Sequence, residues 1–131
     1  MNKSVQSLTE RGWGIITPSE IAETADANEL IYALFVINDC YSCNRALEAI
    51  NPLVILNYGL QPCLVIFREM NIEDNALMKE LRVSITPQAR IYVRGIVISA
   101  WQGLERELSD REIISFNNNW IEKHFGKHAN S

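Results

Sequence analysis

Residues Ile31-Tyr32-Ala33-Leu34-Phe35-Val36-Ile37 form a near-continuous apolar run with no helical period. Such a run fits a central strand covered on both faces, and so calls for a sheet with helices on either side. Asn38-Asp39 ends it, and Cys40-Tyr41-Ser42-Cys43 follows at once. Beyond the cysteines, Ala46, Leu47, Ile50, Val54 and Tyr58 recur at helical spacing. This context places Cys40 at the mouth of a sheet, at or just before a helix N-terminus. Thiol chemistry favours that position, because unpaired backbone N–H groups and the helix dipole stabilise a thiolate.

The remaining elements can be read in order around that strand. Residues 1–12 are polar and read as a mobile lead-in. Residues 13–16 suit a short strand. Thr17-Pro18-Ser19-Glu20 then signals a helix start: Thr17 can cap, Pro18 suits the first helical position and Glu20 completes a capping box. Ile21, Ala22 and Ala25 supply the inner face of that helix, which fades by Asn28. Pro52 is expected to kink the helix after the cysteines, and Gly59 to stop it. Cys63-Leu64-Val65-Ile66-Phe67 reads as a second buried strand, and residues 74–81 as a short helix with Leu77, Met78 and Leu81 facing in. After Thr86-Pro87, residues 89–93 alternate polar and apolar, Gly95 makes a hairpin turn and residues 96–101 return as the partner strand. Gly103 opens a loop. Ser109-Asp110-Arg111-Glu112 is a second capping box, and Ile113, Phe116, Trp120 and Ile121 form the inner stripe of a last helix that stops near Gly126. Residues 127–131 read as a frayed tail. The order predicts one α/β domain over residues 13–126. Its central mixed sheet has a parallel βαβ half, an antiparallel hairpin half and helices on both faces.

Charge narrows the partners. Twelve basic and sixteen acidic residues give a formal net charge of −4, which argues against nucleic acid, since phosphate binding needs a basic face. The N-terminus has no apolar core behind Lys3 and does not read as a secretory signal. No apolar run approaches the roughly 20 residues of a membrane helix. A cytoplasmic monomer without a membrane partner is the expectation. Three cysteines are an odd and small number for a disulfide-stapled secreted scaffold. In a reducing compartment a close pair is catalytic or metal-binding rather than structural.

For the pair itself, dithiol–disulfide exchange competes with structural zinc. Cys40, nearer the open end of the helix, would attack a partner, and Cys43, one turn deeper, would resolve the mixed disulfide. The helix dipole lowers the pKa of Cys40, Asp39 should raise it, and Arg45 could offset Asp39 by folding back. Of these, Asp39 favours a reductant over an oxidant. Zinc would need further ligands, and only Cys63, His124 and His128 remain to supply them. Cys63 begins a strand at the opposite pole, where it reads as a small buried hydrophobe. No metal and no cofactor is expected.

The chain resembles the thioredoxin family. Four features carry the resemblance: Cys40-Tyr41-Ser42-Cys43 between strand and helix, Thr86-Pro87 before the hairpin, Gly95 at the hairpin turn, and Gly103 in the last loop. It covers nearly the whole chain, from Trp13 to about Phe125. The resemblance implies a thioredoxin fold, a cis Thr86–Pro87 bond beside the disulfide, and electron transport by disulfide exchange with protein substrates. It also implies a flavin reductase or glutathione as electron source. Substrate would be held by Tyr41, Ser42, Thr86, Pro87, Gln102 and Gly103. The sequence departs from the family pattern at several places. Asp39 replaces the usual tryptophan, and Tyr41-Ser42 the usual Gly-Pro. Leu34 stands where the family carries a buried acid, and Glu69 lies near the place of its lysine partner. A fold that keeps the groove as a binding module, with idle thiols, is the alternative.

Overall fold

The computed structural model describes residues 4–125. Helix α1 (Val5–Arg11) leads into strand β1 (Gly14–Ile16). A single 3-10 turn (Pro18–Glu20) enters α2 (Ile21–Ala27), and β2 (Leu30–Ile37) follows. Next come α3 (Tyr41–Ala49), α4 (Pro52–Asn57), β3 (Gln61–Phe67) and α5 (Ile72–Leu81). The hairpin of β4 (Gln88–Val93) and β5 (Ile96–Gln102) precedes the last helix, α6 (Asp110–Phe125).

The five strands form one sheet in the order β1-β3-β2-β4-β5. β1 and β2 both run parallel to β3, while β2–β4 and β4–β5 pair antiparallel. The mixed sheet is the one expected from the element order. β2 is central: six of its eight residues, Ile31 to Val36, are fully buried. Alternation along it feeds two cores. Tyr32, Leu34 and Val36 join Cys43, Leu47, Ile55, Ile113 and Ile121 beneath α1, α3, α4 and α6. Ile31, Ala33 and Phe35 join Ile21, Ala25, Val65, Phe67 and Val83 beneath α2 and α5.

Several local expectations change. Val5–Arg11, read as mobile, is a helix capped by Ser4, with Leu8 fully buried in the larger core. Its one apolar anchor was hidden among polar neighbours. Pro52 does not kink one helix but begins another, α4. Asn51 caps it by accepting from Leu53 N at 2.9 Å, and proline at the first position loses no hydrogen bond. Ala22 is exposed, so only Ile21 and Ala25 face inward on α2. Helix α5 starts two residues early, because Asn71 rather than a later residue caps it, accepting from Asp74 N at 2.9 Å. On α6 the fully buried stripe is Ile113, Asn117 and Ile121, with Phe116 and Trp120 only half-buried. Asn117 is there because Tyr32 OH and Trp101 Nε1 both need an acceptor, and its Oδ1 takes both, at 2.7 and 3.1 Å. The hairpin turn is made by Arg94 (φ 49°) and Gly95 (φ 83°), the left-handed pair that two-residue hairpins favour. The expected stop at Gly126 and the tail at 127–131 lie outside the described residues.

Candidate active site

The site grows from the end of β2. Asp39 takes a left-handed conformation (φ 58°), which Asp tolerates, and turns the chain from strand into α3. Cys40 is the N-cap of α3. Its sulfur accepts from Cys43 N at 3.2 Å, the contact a serine or aspartate oxygen makes in an ordinary cap. Cys40 is half-buried and Cys43 has no exposure. A disulfide joins them, with Cα atoms 5.1 Å apart. The two sulfurs thus differ in access by the one helical turn that separates them. Beneath Cys43 lie Leu34, Val36, Ala46 and Leu47 of the larger core.

A second segment meets the pair from across the sheet. The Thr86–Pro87 peptide bond is cis. Thr86 lies against Cys40: its Oγ1 is 3.7 Å and its carbonyl oxygen 3.9 Å from Cys40 Sγ. Pro87 is buried. Its carbonyl accepts from Gly103 N at 2.8 Å, which ties the last loop to the same spot. Gly103 has φ 73°, a left-handed conformation that suits glycine. Gln102 is exposed and accepts from Gln88 Nε2 at 3.2 Å. Tyr41 stands 55% exposed, with the Arg106 guanidinium 4.8 Å from its ring centre. Of the residues singled out from the sequence, Cys40, Cys43, Thr86, Pro87, Gln102 and Gly103 are linked by these contacts. Tyr41 and Ser42 open the helix beside them, and Asp39 is exposed just before it.

Arg45 does not fold back toward Asp39. It crosses to the loop before α6, where it donates to the carbonyl of Leu108 and, at 3.2 Å, to that of Arg106, with Asp110 at 3.6 Å. Two carbonyls and a carboxylate on one loop outbid the single exposed carboxylate of Asp39. The loop is thereby pinned to α3, and Arg106 is carried over Tyr41. Arg106, Gln88 and Arg90 are site neighbours that sequence reasoning missed. Only Gln88 had a signal, its place next to Pro87.

Cys63 pairs with Ala33 and Gly14 inside the sheet, 7% exposed. Burial pushes its thiol up to about 11, so it is a poor nucleophile and a poor metal ligand. His124 packs edge-on against Trp120. His128 lies outside the described residues. Among the described residues no three histidines, cysteines or carboxylates gather as a metal site would require.

The fold that positions this site matches that of solved thioredoxins. Mitochondrial thioredoxin 3 of Saccharomyces cerevisiae, in its oxidized form, superimposes with a TM-score of 0.65 at 14% identity, over 88% of this chain and 97% of that one. Thioredoxin f2 of Chlamydomonas reinhardtii gives 0.63 at 14%, over 88% and 98%. The oxidised thioredoxin of Plasmodium falciparum gives 0.60 at 17%, over 86% and 98%. The chain has the thioredoxin fold. No family model and no curated protein sequence matches it. The thioredoxin fold is therefore carried here by a pattern of burial, turns and caps rather than by shared identity. No helix among the described residues is long and apolar enough to cross a membrane.

Proposed function

We propose that the protein is a thiol–disulfide oxidoreductase that reduces disulfides of protein substrates. One observation carries the reading. The half-buried Cys40 sulfur caps a helix, is bonded to a fully buried Cys43, and lies against Thr86 beside a cis proline. In the reduced protein the Cys40 thiolate attacks a substrate sulfur, forms a mixed disulfide and expels one substrate thiolate. Cys43, losing its proton, then attacks Cys40 Sγ and expels the second. Two electrons pass from the dithiol to the substrate, and the Cys40–Cys43 disulfide is left. Regeneration takes two electrons from a flavin reductase or from glutathione. Thr86, Pro87, Gln102 and Gly103 shape the groove, with Tyr41 and Ser42 on its rim. An extended substrate segment would pair with the Thr86 backbone much as an added strand does. Asp39 beside Cys40, and the absence of a histidine between the cysteines, support the reducing direction. A cytoplasmic monomer fits the same reading.

The test is reduction of an accessible protein disulfide by wild type and by Cys40→Ser. Wild type should be faster by orders of magnitude. Equal rates would leave a thioredoxin-fold binding module in place of an enzyme. Cys43→Ser should trap substrates as mixed disulfides on Cys40. Equilibration with glutathione checks the direction, and a strongly oxidising potential would refute the reductant assignment.

A further inference from the structure

Next to the groove runs a chain of polar side chains for which disulfide exchange has no evident use. Arg90 on β4 is 8% exposed and Gln88 4%. Arg90 Nε donates to Gln88 Oε1 at 2.6 Å, and Gln88 Nε2 donates to Gln102 Oε1 at 3.2 Å. The direction of this chain is not arbitrary. A guanidinium has donors only. Gln88 must therefore turn its oxygen toward Arg90 and its NH2 toward Gln102. Gln102 must then offer its own oxygen inward, which leaves its Nε2 as the outward group on an exposed side chain. Arg90 is itself held fast. Its second nitrogen donates to Leu81 O at the end of α5 at 2.5 Å, and its guanidinium stacks 4.9 Å from the Phe35 ring centre. A surface glutamine is normally free to present either end. This one is oriented by a buried cation two side chains away.

Gln102 immediately precedes Gly103, whose N–H is bonded to Pro87 O, and Thr86 beside Pro87 touches Cys40. We infer that Gln102 is a specificity-determining hydrogen-bond donor of the exchange groove. Gln88 and Arg90 are positioning residues that keep its NH2 outward. This deepens the exchange reading and rests on it. The group selected is a main-chain carbonyl flanking the substrate disulfide, since an extended segment offers carbonyl and N–H groups in alternation. A substrate that presents an N–H at that point meets another donor and is disfavoured.

The experiment compares two oxidised substrates: a cystine-bridged peptide and 2,2′-dithiodipyridine, which is neutral and has no carbonyl. Gln102→Glu replaces the outward donor by an acceptor of nearly the same shape, and Gln102→Met removes it. Both should raise KM for the peptide by roughly 3- to 10-fold, the worth of one hydrogen bond, and so lower the preference for the peptide over dithiodipyridine. Unchanged peptide KM in both variants would overturn the inference. Arg90→Lys keeps a donor-only group and should keep the wild-type KM. Arg90→Met should raise KM as Gln102→Met does, and the double variant should rise no further. Wild-type KM in Arg90→Met would overturn the positioning role. Should that variant not fold, Gln88→Met cuts the same chain and is read the same way. A wild type inactive on both disulfides would remove the exchange reading itself, and this inference with it.

Discussion

β4 and β5 are the two arms of one hairpin, yet they invert the usual link between composition and burial. β4 contains Gln88 and Arg90 and is buried along nearly its whole length. β5 begins Ile-Val-Ile, and those residues are 68%, 44% and 43% exposed. The cause is coverage. β4 lies between β2 and β5, with Ala89 and Ile91 in the core under α6 and Arg90 reaching the end of α5. β5 is the edge. Its Ser99 and Trp101 meet Trp120 and Phe116 of α6, but Ala100, the partner of Arg90 across the ladder, is already exposed. A strand is buried by what lies over it. Polar residues survive burial in β4 because their donors and acceptors are matched, and β-branched residues survive exposure in β5 because they suit extended backbone.

That contrast can be broken most directly by one residue type placed in both arms. Ile91→Ala, at full burial, should cost about 2–5 kcal/mol in denaturant unfolding, and Ile98→Ala far less. Comparable losses would refute the coverage argument. Next in size is Arg90→Met, expected to cost about 1–3 kcal/mol, because Gln88 Oε1 loses its donor while buried and the half-buried Leu81 carbonyl loses another. A neutral or stabilising outcome would mean that β4 tolerates its cation rather than depends on it.

The start of α5 supplies a third test, at about 1–2 kcal/mol. Asp74 is 2% exposed and accepts from Arg68 N at 2.7 Å and from the Arg68 guanidinium at 3.0 Å. The Arg68 side chain holds its carboxyl below the usual aspartate range of 3.8, against the opposing effect of burial. A depressed folded pKa means stability that is present above the unfolded pKa and lost as pH falls through the folded one. Unfolding free energy should therefore decline below about pH 4, and Asp74→Asn should be weaker at neutral pH and flatter in that acid range. An unchanged acid limb would assign it to other carboxylates. The smallest effect belongs to the edge: Ile98→Thr should shift stability by no more than about 0.5 kcal/mol. A larger loss would show that β5 has a covering partner in solution.

Much of this architecture was legible from residues alone. The apolar run at 31–37 fitted a central strand, and the helical spacing after Cys43 oriented the two sulfurs. Thr86-Pro87, Gly95 and Gly103 marked turns whose backbone demands are local. What was not legible depended on partners distant in the chain. Leu8 looked like one apolar residue in a polar lead until a core received it. Asn117 had no place in the apolar stripe of α6 until Tyr32 and Trp101, from two different strands, needed one acceptor. Arg45 had a carboxylate nearby in sequence and took carbonyls about sixty residues on instead.

The sequence by itself determined the order of the strands along the chain and the place of the cysteine pair at a helix start, because strand burial, helix capping and the spacing of two sulfurs are short-range properties. Tertiary structure decided which charges face the site. It carried Arg45 away from Asp39, set Arg106 over Tyr41, and buried Arg90 where it orients Gln88 and, through it, Gln102. Hydrogen-bond direction passes between side chains only when the fold has brought them within about 3 Å, and no local pattern encodes that.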